Sequence, residues 1–166
     1  MPITYTPIAS TTLTSAQSTV TFSSIPGTYT DLVLVINAKA NTGGAIGLQF
    51  RFNSDSATNY SFTYLNGNGS SASSGRITSN NQGAFSDLAS SSNPAGTTIA
   101  NIMNYANTTT FKTVVSRGSD ANNVAQALVN LWRATPAAIT QIDVYPNSSV
   151  QFAANSTFVL YGILKA

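Results

Sequence analysis

The chain has 166 residues, a formal net charge of +2 and 7% charged residues, and it contains no Cys, His or Glu. Ordinary soluble domains carry roughly 25% charge. The composition therefore excludes a disulfide framework, thiolate metal sites and the Ser-His-Asp or Cys-His catalytic arrangements. It also lacks the clustered basic footprint that nucleic-acid binding needs. Solubility must come from neutral polar groups, of which there are 22 Ser, 22 Thr and 17 Asn. The length fits one domain, 1–166, large enough to bury a core without a metal or disulfide. No apolar run approaches the ~18 residues of a membrane-spanning helix, and the start shows no signal peptide. The five N-x-S/T sequons match what the Ser, Thr and Asn content generates by chance.

Period-2 patterning runs through the chain. Met1 to Thr19 is Thr- and Ser-rich with Pro2 and Pro7. It reads as a first strand over 3–8 within an N-terminal arm, 1–19, able to reach a neighbour. A strand over 18–22 precedes SIPGTYTD, whose Pro26-Gly27 suits a type II turn. DLVLVINAKA (31–40) is apolar on both faces, as in a central strand covered on both sides. In 46–53, Leu48, Phe50 and Phe52 share one face and Gln49 and Arg51 the other. In 59–65, Tyr60, Phe62 and Tyr64 alternate with Ser61 and Thr63. Residues 66–97 break the rhythm with Gly, Ser and Asn. They read as a long surface loop in which Arg76-Ile77-Thr78 and Ala84-Phe85 are possible short edge strands. Removing 70–92 is then expected to leave the sandwich folded but to weaken its assembly with a partner.

Further strands fall at 98–105, 111–117, 124–133, 139–145 and 156–164. In AQALVNLWR, Ala125, Ala127, Val129 and Leu131 share one face with Arg133. Gln126, Leu128, Asn130 and Trp132 share the other. A short helix over 122–133 is the main competing assignment. ITQIDVY puts Ile142 and Val144 inward, with Gln141 and Asp143 outward. TFVLYGIL is again apolar on both faces. Many short strands with regular turns predict an all-β, single-domain antiparallel β-sandwich, jelly-roll-like.

The sequence offers no catalytic constellation. Its acids are Asp31, Asp55, Asp87, Asp120 and Asp143, each in a separate segment, and no phosphate-binding loop occurs. The expectation is a protein that is not an enzyme, with no cofactor and no metal. Asn53, Asp55 and Asn59 offer oxygens for calcium, but one carboxylate is few for such a site. The plainer reading is a connector whose Asn, Asp and Ser side chains bond their own backbone. Trp132, the single Trp, lies in an apolar strand and reads as core or interface packing rather than a sugar platform. In the 66–97 segment, Arg76, Ile77, Phe85 and Leu88 are the candidate partner-binding residues, because apolar side chains in a polar loop must bury somewhere.

Several segments together carry a resemblance: FSSIPGTYTDLVLVINAKA, LQFRFNSDSATNYSFTYLNGNG, IMNYANTTTFKTVVSR, LVNLWRATPAAITQIDVYP and FAANSTFVLYGIL. They are similar to a group of tailed-phage virion proteins of aquatic bacteria and cyanobacteria, over about Val20 to Leu164. The resemblance implies a β-sandwich on a phage particle, either a capsid decoration (cement) protein or a part of a tail fibre. A fibre tip normally needs an attachment segment, and here the sandwich fills the chain. The expectation is therefore a non-enzymatic virion structural protein on the capsid surface, assembled in the host cytoplasm. Its expected partner is the major capsid protein, and its expected state a homotrimer, with no nucleic acid or membrane bound. The alternative is a tail-fibre or receptor-binding module recognising host surface glycan. A third reading is a generic carbohydrate-binding module.

Overall fold

The computed structural model describes residues 4–44 and 46–164. Ile3, the expected start of the first strand, lies outside them. The elements are β1 (Tyr5–Thr12), β2 (Val20–Phe22), β3 (Asp31–Ala38), β4 (Ile46–Phe52), β5 (Tyr60–Gly67) and β6 (Ala72–Asn80), then β7 (Gly83–Leu88), β8 (Gly96–Ile102), β9 (Lys112–Ser119), β10 (Ala125–Trp132), β11 (Ile142–Pro146) and β12 (Thr157–Ile163). No helix occurs among the described residues, and 125–132 is a strand.

Two antiparallel sheets pack face to face. The larger has the order β1-β12-β3-β8-β9-β10-β5-β6 and the smaller β2-β11-β4-β7. The pairs β1·β12, β2·β11, β3·β8 and β4·β7 are nested in sequence and alternate between the sheets. A long antiparallel hairpin rolled around a barrel axis pairs in this way, which is the jelly roll. Two hairpins are added to it. β5-β6 is inserted between β4 and β7, and β9-β10 follows β8. Together they extend the larger sheet from four strands to eight.

Three expectations change here. The N-terminal arm is instead, over Tyr5–Thr12, an edge strand paired along β12. The long loop 66–97 is instead mostly strand: the possible short edge strands at 76–78 and 84–85 are parts of β6 beside β5 and β7 beside β4, each at the edge of its sheet. Ser- and Gly-rich sequence hides their length, because hydroxyls at the exposed positions of β6 carry no alternation signal. The turn at 66–71 is held by Asn68, whose Oδ1 accepts the Ser70 and Ser71 amides at 3.1 and 2.8 Å. Finally, Gly27 does not adopt the positive φ that a type II turn requires; in this stretch it is Ser24 that does so, at 54°. The segment is not a hairpin. It carries the chain from the small sheet to the large one, and the Tyr105 hydroxyl donates to the Pro26 carbonyl to fix it.

The core lies between the sheets. Leu32, Leu34 and Ile36 from β3, and Phe158 and Leu160 from β12, face Leu48, Phe50 and Phe52 from β4 and Ile142 and Val144 from β11. The inward positions alternate with outward ones at period 2, as the sequence pattern predicts for β4 and β11. At one end Phe50, Phe52, Tyr60, Phe85 and Trp132 form an aromatic cluster with centroids 4.4–6.4 Å apart. Aromatic pairs add roughly 0.5–1.5 kcal/mol each beyond their buried area.

Candidate interaction surface

The Asn53–Asn59 connector is built from side chains that bond the chain itself. Asn53 (φ 51°) and Ser54 (φ 57°) take the left-handed conformation that Asn tolerates better than most residues. Asn53 Oδ1 accepts from the Thr140 and Gln141 amides at 2.9 and 3.1 Å, and its Nδ2 donates to the Ala138 carbonyl at 2.8 Å. Asp55 accepts from the Ala57 amide, Asn59 Nδ2 and Trp132 Nε1. Burial opposes the Asp55 charge, but the bonds from Asn59, Trp132 and Ala57, with the nearby Arg51 charge, hold its carboxyl below the ordinary value. Trp132 itself is buried against Phe52 and Tyr60, as its strand context predicts.

The other acids are also engaged in the architecture. Asp31 accepts the Asn104 amide at 2.6 Å. Asp120 Oδ1 accepts three successive amides, Asn122, Asn123 and Val124. Asp87 accepts from Gln126 Nε2 at 3.0 Å, and burial pushes its carboxyl above the ordinary value although that bond opposes the rise. Asp143 accepts from Thr21 and Gln141.

The four residues expected to contact a partner divide in two. Phe85 and Leu88 are 2% and 3% exposed and belong to the core. Phe85 stacks on Phe50 at 4.4 Å, so the apolar residues of the segment bury inside their own chain. Arg76 and Ile77 stand exposed on β6, the free edge of the larger sheet.

That edge differs from the other three. β1 carries Pro7 and a register shift beside it, and β2 has three residues. The free backbone of β7 is satisfied by side chains of β10. Asn130 bonds both the amide and the carbonyl of Ala84 at 2.9 Å, and Gln126 Oε1 accepts the Asp87 amide at 2.6 Å. Prolines, bulges, short strands and covering groups are the devices that keep sheet edges from pairing. β6, nine residues long with Arg76 its single charge, has no proline, and its one register shift against β5 lies near its end, between Ile77 and Asn80.

The larger sheet presents a second feature, which the sequence foreshadows only in part. β10 turns Leu128 and Trp132 inward, together with the Asn130 and Gln126 that complete β7. Its more apolar side, Ala127, Val129 and Leu131, faces outward. In register across six strands, one outward row reads Tyr161, Val33, Asn101, Val115, Val129, Thr63. The next reads Val159, Val35, Ile99, Arg117, Ala127, Leu65. The first row has no charge and the second has one. Val115, Val129 and Leu65 are 40%, 51% and 57% exposed, so the face is most open over β9, β10 and β5, while Val33 on β3 is buried and Val35, Val159 and Tyr161 are half-buried. β3 and β12 are thus written as strands covered on both faces, yet among the described residues a layer covers only one. An open, apolar sheet face of this extent is the mark of an interaction surface.

Comparison with protein-family models gives no match, and comparison with curated proteins gives none either. What the fold and surface define is a charge-poor jelly roll with an open apolar sheet face.

Proposed function

We propose that the protein is a non-enzymatic structural component of a tailed-phage virion, a decoration or cement protein that seats on the assembled head and adds contacts between its subunits. The observation that carries this reading is the outward face of the larger sheet. Its two central rows hold twelve positions with Arg117 as their single charge. The six strands that carry these rows, about 4.8 Å apart and some seven residues long, span roughly 650 Å². With β1 and β6, which adds Arg76, the face reaches about 800 Å², the area one partner contributes to a standard stable interface. Burying such a face stabilises by area, and a low charge keeps packed copies from repelling one another. The jelly roll is itself an architecture of viral capsid proteins, as well as of lectins. The exposed β6 edge, with Arg76 and Ile77, adds backbone groups to the same docking region.

The test is association with intact particles. The protein is expected to co-purify with mature heads in near-stoichiometry to the capsid subunit. Val129→Asp and Val115→Asp variants are expected to fold and to lose that association. Recovery only with detached tails, or heads that bind both variants as well as the parent, overturns the reading.

A further inference from the structure

On the opposite side of the sandwich, the outer face of the smaller sheet holds an open groove of about 530 Å³. Two of the chain's few charges stand there directly opposite each other, Arg51 on β4 and Asp143 on β11. Opposed charges at such a position ordinarily close into a cross-strand pair. Here each is committed elsewhere. Arg51 leans toward β7, its Nε donating to the Asn81 carbonyl at 3.1 Å and its guanidinium 5.3 Å from the Tyr145 ring centroid. Asp143 leans toward β2, accepting from Thr21 Oγ1 at 2.7 Å and from Gln141 Nε2 at 2.9 and 3.0 Å. Tyr145 is fixed in turn by its hydroxyl bond to Gln82 Oε1 at 3.2 Å. The side chains are splayed, and the groove lies between them.

The geometry points to a saccharide-binding site for neutral sugars in this groove. A guanidinium keeps donors after its bonds to the Asn81 carbonyl and, at 3.5 Å, to Gln82 Oε1, and a carboxylate has about four acceptor sites, of which three are used. Splayed to either side of the groove, they match two separate hydroxyls of one sugar, each of which both donates and accepts. Asp143 disfavours an anion and Arg51 disfavours a cation, while polar walls that include Ser148, Ser149 and Gln151 disfavour an apolar ligand. The supporting bonds hold the groups on strands, so little ordering is needed on binding. The site is independent of the capsid reading, because a particle seated on the apolar face leaves this groove turned outward.

The experiment uses the purified chain on a printed panel of neutral hexose and N-acetylhexosamine oligosaccharides with sulfated and carboxylated glycans beside them. Binding to neutral glycans is expected. Arg51→Gln and Asp143→Asn are each expected to weaken it about tenfold, the loss of one charge-assisted hydrogen bond. Arg117→Gln, on the far face, is expected to leave it unchanged. Ser149→Trp fills the groove from an exposed position and is expected to abolish binding, which keeps the test sound if a charge variant misfolds. No retention on any neutral glycan, binding confined to the anionic ones, or binding that survives both charge substitutions and Ser149→Trp overturns the proposal.

Discussion

Trp132 donates its indole N–H to Asp55 Oδ2 at 2.7 Å, across 77 positions of sequence, and so ties the β4–β5 connector to the end of β10. The same carboxylate takes the Asn59 side-chain amide on Oδ2 and the Ala57 amide on Oδ1, at 2.9 Å each. All three contacts are donors aimed at one anion. Asp55→Asn presents an amide N–H₂ to at least one of them and is expected to destabilise the fold by about 2 kcal/mol, the scale of a hydrogen bond to a charged group. The carboxyl pKa is held below 3.8 in the folded state, so its stabilisation is complete above that value and fades as pH falls through the lower folded pKa. The difference between parent and variant in chemical denaturation should therefore be large at neutral pH and shrink in acid.

Asp87 works in the opposite sense. Burial raises its carboxyl above 3.8, more than the Gln126 bond lowers it. A raised acid is favoured by folding in its neutral form, and that benefit is lost as pH rises through the folded pKa. Asp87→Asn keeps an oxygen for Gln126 Nε2 and carries no charge to desolvate. It is expected to raise the melting temperature at pH 7 by a few degrees, with the gain vanishing near pH 3. A variant less stable than the parent at neutral pH would show that the carboxylate has a stabilising partner instead.

The core-facing alternations of β4 and β11 were legible because one apolar face meets a polar one, as in Phe50 and Phe52 against Gln49 and Arg51. β3 and β12 were legible as strands, and their two-sided apolarity is what marks the open sheet face. β10 was legible as a strand but not in orientation. Its inward side carries Asn130 and Gln126, whose task of satisfying the β7 backbone depends on a neighbour that period-2 reasoning cannot place. β7 is legible only as the possible short edge strand at 84–85; its full length and its pairing with β4, some forty residues earlier, are not. Of β6 only Arg76-Ile77-Thr78 is legible as a possible edge strand, because its flanks are hydroxyl-rich. Arg51 and Asp143 were legible as outward residues, but their opposition needs the β4–β11 register, which no local pattern encodes.

Alkaline conditions test the tyrosines of the β4–β11 end. Burial pushes the Tyr145 hydroxyl up to about 12, the nearby Asp143 adding to the rise and Arg51 opposing it. Burial raises Tyr60 further, the Phe52 amide it accepts at 2.9 Å acting the other way. Both are neutral in the fold where an unfolded tyrosine ionises near 10. Their stabilisation is present below pH 10 and is lost as pH rises through the folded values. Melting temperature is expected to fall steadily above pH 10, and Tyr145→Phe to flatten the part of that fall below about pH 12. A parent profile that is flat from pH 10 to 12 contradicts this.

Gly83 opens β7 against the ring of Phe50, and a Cβ built there falls within the van der Waals envelope of that ring. Phe50 is fully buried and stacked on Phe85, with Phe52 and Tyr60 beside it, so the ring has no free direction in which to retreat. Gly83→Ala is expected to cost about 1–3 kcal/mol by overpacking. Deleting residues 70–92 goes further, because it removes β7 with Phe85 and Leu88 and strips one face of the aromatic cluster. That deletion is expected to abolish cooperative unfolding. Replacing residues 72–80 by a Gly-Ser segment of equal length removes the β6 pairing, keeps β7 and its Asn130 and Gln126 bonds, and is expected to retain a cooperative melt. Circular dichroism and calorimetry of the two variants separate a segment that builds the core from one that presents an edge.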